Sequence, residues 1–270
     1  MKKYVCLMMD VKASKSYDIQ QRNRIQKYMI QWMQLLNQLF QSKIIHAVVC
    51  SAGDEMQGVF DDASSAYMYF RLMELLMAPV VIRGGMGVGE WTIRMEDESS
   101  TYQDGPLFHA ARKAIEQAHA SKLQRLCIEG IKDYGMNILL NASYPLKQQQ
   151  NQMQNLTMSY IECLYPFYES SLKLDQDILL KLMNLKQHYY AEWNESEKYD
   201  IHQIEVKAIS LDASNINDES LIMVRNMSLN IANHLGCSRQ NADKLIKRGY
   251  VYQIRQLDYY VIHQLMKEEL

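Results

Sequence analysis

The sequence contains few of the residues that break helices and form turns. Its 270 residues include only 4 Pro and 11 Gly, so we expect long helices and few loops. It also lacks a long apolar segment near its start. The apolar run at residues 4–9 stops at Asp10, which is too short for a signal-peptide core or a membrane span. We therefore predict a buried strand at residues 4–9 and no association with a membrane.

Several chemical signatures are also missing. The 29 basic and 31 acidic residues give a net charge of −2, so any binding of nucleic acid requires a local basic patch. The five cysteines have neither zinc nor redox spacing, and their odd number argues against a disulfide framework. We therefore predict a reducing, cytoplasmic environment. The absence of a P-loop, a Gly-x-Ser-x-Gly elbow and paired metal-binding histidines argues against the enzyme classes that use them.

The composition and its patterning favour two kinds of structure along one chain. With 48% hydrophobic residues, the chain can bury a core and has room for one large domain or two ordinary ones. Apolar runs and helical periodicity over residues 1–130 predict the order β-α-β-β-α-β-α-β, an α/β sandwich with a mixed sheet. The predicted strands are 4–9, 44–49, 56–60, 80–88 and 123–128, and the predicted helices are 18–40, 62–77 and 105–120. We interpret residues 131–200 as a helical linker region and residues 201–270 as entirely helical.

Two acidic residues stand at the ends of predicted strands. Asp10 ends the first strand, and Asp54 follows Gly53 in the turn of a predicted hairpin. If these strands are neighbours, both carboxylates enter one cleft, where hard oxygen ligands suit Mg²⁺ or Mn²⁺ bound to a nucleotide. Glu55 is either a third ligand or an outward neighbour. The alternative is structural, because Gly-Asp is a common turn dipeptide and an Asp after a strand often caps the next segment.

A strand rich in glycine offers a second candidate site. Gly85, Gly87 and Gly89 alternate along the fourth predicted strand, so they lie on one face of it. A strand without side chains on one face lets either a ligand or a helix approach closely, and both alternatives stay open. Gly105 precedes Pro106 at the start of the third predicted helix, where free N–H groups suit a phosphate.

These segments carry a family resemblance. Their order resembles that of class III nucleotide cyclases, whose core is shared with diguanylate cyclases and the polymerase palm. The chain is more closely similar to the SatD family. The matching segments are Asp10-Val11-x-x-Ser14-Lys15, Gly53-Asp54-Glu55-Met56-Gln57-Gly58, Arg83-x-Gly85-x-Gly87-x-Gly89-Glu90 and Gly105-Pro106-x-x-x-Ala110-x-x-x-Ala114. The resemblance covers residues 1–130 and the last fifty. It implies a ferredoxin-like palm domain of the nucleotide cyclase type, followed by an all-α helix-turn-helix domain at residues 201–270.

The resemblance also implies roles for individual residues. It makes Asp10 and Asp54 the metal ligands, and Arg112 occupies the position of a catalytic arginine that stabilises the transition state. Phe108 stands where the cyclases have an asparagine, a departure that puts cyclisation in doubt. The residues expected to contact the nucleotide are Gly53, Glu55, Gly85, Gly87 and Gly105.

Residues 228–248 have the pattern of a helix-turn-helix. Gly236 can end the first helix, and Ser238 can cap the second. Six basic residues and one acid, Asp243, lie between Arg225 and Arg255, a local net charge of +5. The residues predicted to contact DNA are Ser238, Arg239, Gln240, Asn241, Lys244 and Lys247. The alternative is a structural hairpin or a protein-docking module with a solvated charged face.

Three hypotheses follow. The first is a cytoplasmic, DNA-binding transcriptional regulator, a homodimer whose amino-terminal domain binds a nucleotide or a Mg²⁺-nucleotide as a signal. The second is an active Mg²⁺-dependent nucleotidyl cyclase or nucleotidyltransferase. The third is a catalytically inactive dimerisation scaffold.

Overall fold

The computed structural model describes residues 2–93, 95, 103–133, 135–170, 172–211, 219 and 222–267. The chain divides into two compact units. The first consists of residues 1–142 together with the chain from residue 261 onward, and the second consists of residues 143–260.

The first unit contains a five-stranded sheet with helices packed against it. Its elements are β1 (Lys3–Val11), α1 (Ile19–Leu39), β2 (Ile44–Ala52), β3 (Glu55–Phe60), α2 (Ala63–Met77), β4 (Ile82–Glu90), α3 (Pro106–Ala120), β5 (Leu126–Glu129) and α4 (Met136–Leu139). Before α4, this order is the predicted one, with a short 3-10 helix at Ser14–Ser16 added after β1. The prediction of a mixed α/β structure is therefore confirmed.

The sheet has the strand order β2-β3-β1-β4-β5. The pairs β2–β3, β3–β1 and β1–β4 are antiparallel, and β4–β5 is parallel. In this register Asp10 lies directly opposite Arg83 on the neighbouring strand. The long connections through α1 and α2 place β1 in the middle of the sheet, so the end of β1 is surrounded by elements from distant parts of the chain.

The helices cover both faces of the sheet. Because side chains alternate along a strand, neighbouring glycines of β4 meet different helices. A Cβ atom on Gly84 would touch Phe70 of α2, whereas one on Gly85 would overlap the backbone of α3 at Ala111 and Ile115. On the α3 face, Cys6 and Met8 of β1 contribute to a buried apolar cluster.

Local sequence signals set the ends of the long helices. The Asp18 carboxylate accepts a hydrogen bond from Gln21 N–H at 2.8 Å, and the Gln21 side chain accepts one from Asp18 N–H, which forms a capping box for α1. Asp62 caps α2 through Ser65 N–H at 2.7 Å. Both caps fall where the sequence predicts helix starts.

The second unit is largely helical. It contains α5 (Tyr144–Gln148), α6 (Gln152–Leu164), β6 (Phe167–Tyr168), α7 (Gln176–Asn194), β7 (Ile209–Ser210), α8 (Met227–Leu235), α9 (Arg239–Arg248) and most of α10 (Val251–Lys267). Helix α6, from the region interpreted as a linker, packs against α8 and α9. The predicted linker and the C-terminal helices thus share one compact unit.

The prediction that residues 201–270 are entirely helical is wrong at its start. Residues 201–208 have no regular secondary structure, and residues 209–210 form β7, parallel to β6. The reason is that backbone N–H groups of this segment donate hydrogen bonds to carbonyl groups of a distant segment, instead of forming the hydrogen bonds of a helix. Lys207 N–H donates to Leu164 C=O, and Ile209 N–H donates to Pro166 C=O, both at 2.8 Å.

All five cysteines are free thiols. Burial raises the pKa of the Cys127 thiol to about 11, with the nearby Glu129 acting in the same direction.

Within the described ranges, no helix combines the length and apolarity that crossing a bilayer requires.

Candidate functional site

Asp10 lies at the end of β1 in a cluster with two basic side chains. Its carboxylate accepts from Arg83 through both oxygens, Nε to Oδ1 at 3.0 Å and Nη2 to Oδ2 at 2.8 Å. Nε2 of His119, near the end of α3, lies 2.8 Å from Oδ2. Asp10 is only 8% exposed, so these contacts satisfy a carboxylate that has little access to water.

This arrangement does not fit a divalent cation. Both Asp10 oxygens are already bound by donors, one of which is a guanidinium whose charge opposes a metal ion. Among the described residues, no group of three or more His, Cys, Asp or Glu side chains is placed to hold a metal ion. Coordination by Asp10 would first require Arg83 and His119 to leave.

Asp54 lies in a different environment. It follows Gly53, whose φ of 64° belongs to the left-handed region that favours glycine, in the tight turn between β2 and β3. Together the two residues line one side of a pocket with an empty volume of about 450 Å³. The other lining residues come from the end of β1, the segment after it and the first turns of α1: Val11, Ser14, Tyr17, Arg22, Ile25, Gln26 and Met29.

This Asp54 pocket has an apolar floor and a polar rim. Val11, Ile25 and Met29 are buried, whereas Arg22 and Gln26 are exposed and Asp54 is half-buried. Burial also raises the pKa of the Tyr17 hydroxyl, so that group remains protonated as a hydrogen-bond donor. The pocket therefore offers a carboxylate, a guanidinium and hydroxyl groups around a hydrophobic base.

The structure does not bring Asp10 into the Asp54 pocket. Val11 lines the pocket, but Asp10, the preceding residue, points to the opposite face of the sheet, toward α3. Glu55 is exposed, and its carboxylate lies 3.5 Å from the Ser51 hydroxyl. The two aspartates that the sequence predicts as a pair thus occupy separate sites.

The glycines of β4 are covered by α3. A Cβ atom on Gly85 would overlap the Ala111 carbonyl and the Ile115 nitrogen, and one on Gly87 would overlap the Ala111 nitrogen and the Leu107 carbonyl. Of the two alternatives that the sequence leaves open, close approach of a helix is the one observed.

The start of α3 is stabilised by a hydrogen bond between neighbouring residues of the chain. Gly105 has a φ of 147°, and its N–H donates to the Asp104 carboxylate at 2.7 Å. Further along the helix, Phe108 is buried and packs against Trp91 with ring centroids 6.4 Å apart, while Arg112 is exposed. The basic partners of Asp10 are Arg83 and His119 rather than Arg112, and Phe108, at the position of the cyclase asparagine, is part of an apolar cluster.

The C-terminal helices α8 and α9 are separated by a three-residue turn. Gly236 adopts a φ of 61°, and the Ser238 hydroxyl caps α9 by accepting from Asn241 N–H at 3.2 Å. Ala242 and Ile246 are buried. The side chains predicted to contact DNA are all exposed: Ser238, Arg239, Gln240, Asn241, Lys244 and Lys247.

One basic residue of the predicted patch is buried rather than exposed on the surface. Arg255 is 0% exposed; its Nη1 lies 2.5 Å from Glu162 Oε1, and its Nη2 donates to Tyr165 C=O at 2.6 Å. Its charge is compensated inside the unit and joins α10 to α6. The exposed basic residues of this stretch are Arg225, Arg239, Lys244, Lys247 and Arg248.

The model of the SatD family matches residues 4–217, more than half of the chain. The chain belongs to the SatD family. No curated protein and no solved structure matches it.

The extent of the SatD match differs from the extent of the resemblance noted in the sequence. It includes residues 131–200, which we interpreted as a linker, and it ends before α8 begins at Met227. Helices α8 and α9 therefore lie outside the segment that the SatD family model matches, and only the residues of this chain favour a nucleic-acid interface.

Two segments of the SatD resemblance meet in space. Val11 and Ser14 belong to the first segment, Gly53 and Asp54 to the second, and all four line the Asp54 pocket. The sequence analysis did not identify His119, Arg22 or Tyr17 as members of either site. Arg83 appears in the sequence only as the first residue of the third segment of the SatD resemblance.

Proposed function

We propose that this SatD-family protein is a DNA-binding transcriptional regulator that contacts double-stranded DNA through α8 and α9, acting as a helix-turn-helix. The observation that carries the proposal is the division of α9 into two faces. Ala242 and Ile246 anchor the helix, while Arg239, Gln240 and Asn241 are exposed in its first turn. In helix-turn-helix proteins, the first residues of the second helix reach the base edges in the major groove.

The side chains of α9 suit both kinds of DNA contact. Arg, Gln and Asn can make paired hydrogen bonds to guanine or adenine edges. Lys244 and Lys247, further along the exposed face, suit phosphate oxygens, which fix the register of the helix in the groove. The burial of Arg255 removes one charge from the patch, but Asp243 is the only acid that accompanies the five exposed basic residues between Arg225 and Arg255.

A second copy of the chain is part of the proposal. One helix-turn-helix offers few base contacts, and such units usually bind as dimers to two half-sites about 34 Å apart. We therefore expect the functional form to be a homodimer that binds two half-sites with twofold symmetry.

The test is direct binding of labelled duplex DNA enriched from a random-sequence library by the full chain. R239A should weaken binding to the enriched duplex by roughly tenfold or more, the cost of one bidentate base contact. K122A, which removes an exposed charge in the first unit, is the matched control and should leave affinity unchanged. Equal affinity of R239A and the wild type, or the absence of any enriched sequence, would contradict the proposal.

The Asp54 pocket favours a second candidate function, nucleotide binding by a palm-like domain. The order β2-β3-β1-β4 of antiparallel strands, joined through α1 and α2, is that of the ferredoxin-like βαββαβ motif. The polar rim of the pocket has Arg22 for a phosphate and hydroxyl groups for a ribose. We propose that binding here uses these side chains, with Mg²⁺ or Mn²⁺ taking part only if Asp10 is released from Arg83.

Thermal shift with ATP, GTP, CTP and UTP, each with and without Mg²⁺ or Mn²⁺, tests this candidate. Stabilisation that D54N abolishes and E55Q retains would support it. Turnover to a cyclic or transferred product would support an enzyme, a role that the apolar packing of Phe108 and the pairing of Asp10 do not favour. Tight dimers with no response to any nucleotide would favour the inactive scaffold instead.

A further inference from the structure

A second, larger pocket lies entirely within residues 143–260. Its empty volume, which includes space open to solvent, is about 1110 Å³. Its lining residues come from three parts of the unit: Leu164 at the end of α6, Gln203, Ile204 and Glu205 before β7, and Asn230, Asn233 and His234 of α8. We call it the α8 pocket. None of its lining residues belongs to the four segments that carry the SatD resemblance or to the residues predicted to contact DNA.

The α8 pocket is rich in amide groups. The Asn230 amide donates to the Tyr165 hydroxyl at 2.7 Å, which orients the side chain and leaves its oxygen as an acceptor. Asn233 and Gln203 are exposed. Within the described chain, neither of these two amides has a hydrogen-bond partner. Each can donate and accept at the same time, so together they present several hydrogen-bonding positions across one cavity.

The α8 pocket carries little uncompensated charge. Glu205 is the charged lining residue, and its carboxylate lies 3.2 Å from Lys207 Nζ. Burial lowers the pKa of His234, so near neutral pH its imidazole is uncharged, with one donor nitrogen and one acceptor nitrogen. A strongly charged ligand would lose its hydration without gaining a free counter-charge. Leu164 and Ile204 add apolar surface at the edge.

We propose that the α8 pocket binds an uncharged, polyhydroxylated ligand of monosaccharide or disaccharide size, with Asn230, Asn233, His234 and Gln203 as its hydrogen-bonding residues. Each hydroxyl of such a ligand both donates and accepts a hydrogen bond, as each amide does. Its C–H groups match the apolar surface of Leu164 and Ile204, because pockets commonly combine a few converging polar groups with apolar walls.

The position of the pocket links it to α9. Asn230, Asn233 and His234 form one face of α8, while Ile231 and Ala232 on another face are buried, and α8 packs against α9. A ligand that favours one placement of α8 therefore changes the affinity of α9 for DNA, and DNA changes the affinity for the ligand by the same factor. This regulatory part rests on the proposed DNA binding; the ligand site does not.

Titration calorimetry of the full chain without DNA tests the site. The neutral probes are glucose, trehalose and myo-inositol, and glucuronate and glucosamine are their charged counterparts. At least one neutral probe should bind saturably with a Kd on the order of 1 mM, and neither charged probe should bind more tightly. N233A and Q203A should each weaken binding by roughly 3- to 10-fold, the loss of one hydrogen bond.

The matched control is Q253A, an exposed amide of α10 that does not line the pocket, and it should bind as the wild type does. The proposal is overturned if no neutral probe binds at about 50 mM, or if N233A and Q203A both bind the probe with wild-type affinity. It is also overturned if glucuronate or glucosamine binds more tightly than every neutral probe.

Regulation is measured separately, as the ratio of DNA affinities with and without the saturating saccharide. The ratio should differ from one in the wild type, and Q203A should need a roughly 3- to 10-fold higher saccharide concentration to reach the same ratio. A ratio of one in the wild type, with saccharide bound, would overturn the regulatory part and leave the site intact. Saccharide binding by a chain that binds no DNA would contradict the proposed function rather than the site.

Discussion

Asp10 and Arg83 face each other across β1 and β4, and the guanidinium contacts both oxygens of the carboxylate. The side chains are 11% and 19% exposed. An ion pair with so little access to water holds its partners in place, because separating them leaves a charge that neither solvent nor protein compensates. We therefore interpret Asp10, Arg83 and His119 as a structural cluster that joins β1, β4 and α3. We call this cluster the Asp10 clasp.

Removing one member of this clasp should destabilise the protein. We expect D10A to lower the free energy of unfolding by about 3 kcal/mol, since it leaves the Arg83 charge poorly hydrated. D10A/R83A should lose less than the sum of the two single variants. Urea denaturation measures both. K113A, which removes an ion pair whose lysine is 66% exposed, should cost less than about 1 kcal/mol. A D10A loss no larger than that of K113A would show that the clasp has no such role.

The packing of α3 on β4 predicts a strong effect of a single methyl group. G87A places a Cβ atom where the backbone of α3 lies at Ala111 and Leu107, so the helix must move, and we expect a loss of about 3 kcal/mol or failure to fold. Gly135 has an ordinary φ of −78° and only the Asp133 side chain near its Cβ position, so G135A should be nearly neutral. Thermal unfolding compares the two. Similar melting temperatures for G87A and the wild type would contradict the packing.

Two substitutions at Ser238 distinguish its role in capping α9 from its predicted role in DNA binding. S238A removes the acceptor for Asn241 N–H and should cost about 1 kcal/mol of stability. Because aspartate caps as well as serine, S238D should keep the melting temperature while its negative charge, beside Arg239, weakens DNA binding. Melting curves and DNA titrations of the same two variants give the result. Wild-type DNA affinity in S238D would place the start of α9 away from the phosphates.

Burial of His234 makes stability depend on pH. Its pKa is lowered from the ordinary value of 6.5, so as pH falls the unfolded chain binds the proton first and folding becomes less favourable. Stability from this group is complete above pH 6.5 and is lost as pH falls toward the lowered folded pKa. H234Q should therefore show a smaller loss of stability than the wild type between about pH 7.5 and pH 5.5, by urea denaturation. Parallel pH profiles of the two proteins would refute this assignment.

Much of the sheet unit could be predicted because its signals are local. The apolar periodicity located α1 and α2 within a few residues, and in the structure Asp18 and Asp62 cap the starts of these helices. The prediction was less accurate at β5, where Leu123 was included in the strand. Leu123 is 82% exposed and lies in a turn in which the Ser121 hydroxyl accepts its N–H, and an apolar residue alone does not reveal such a turn.

The site could be predicted only in part because it depends on register. The sequence identified Asp10 and Asp54, but one residue of alternation at the end of β1 decides which face each position meets, and Val11 rather than Asp10 joins Asp54. His119 reaches Asp10 from a distant helix. Likewise, Arg255 contributes to the net positive charge counted from the sequence between Arg225 and Arg255. In the structure its side chain is buried and its charge is compensated by Glu162. Such long-range contacts leave no local pattern.

The central claim, that the exposed face of α9 binds DNA, is tested most directly by the salt dependence of duplex binding by the full chain. Plotted against the logarithm of salt concentration, the logarithm of the wild-type association constant should fall steeply, because lysine and arginine side chains displace counterions. K244A should reduce that slope by about 1, and K122A should leave it unchanged. A flat wild-type plot, or equal slopes in K244A and the wild type, would contradict the account.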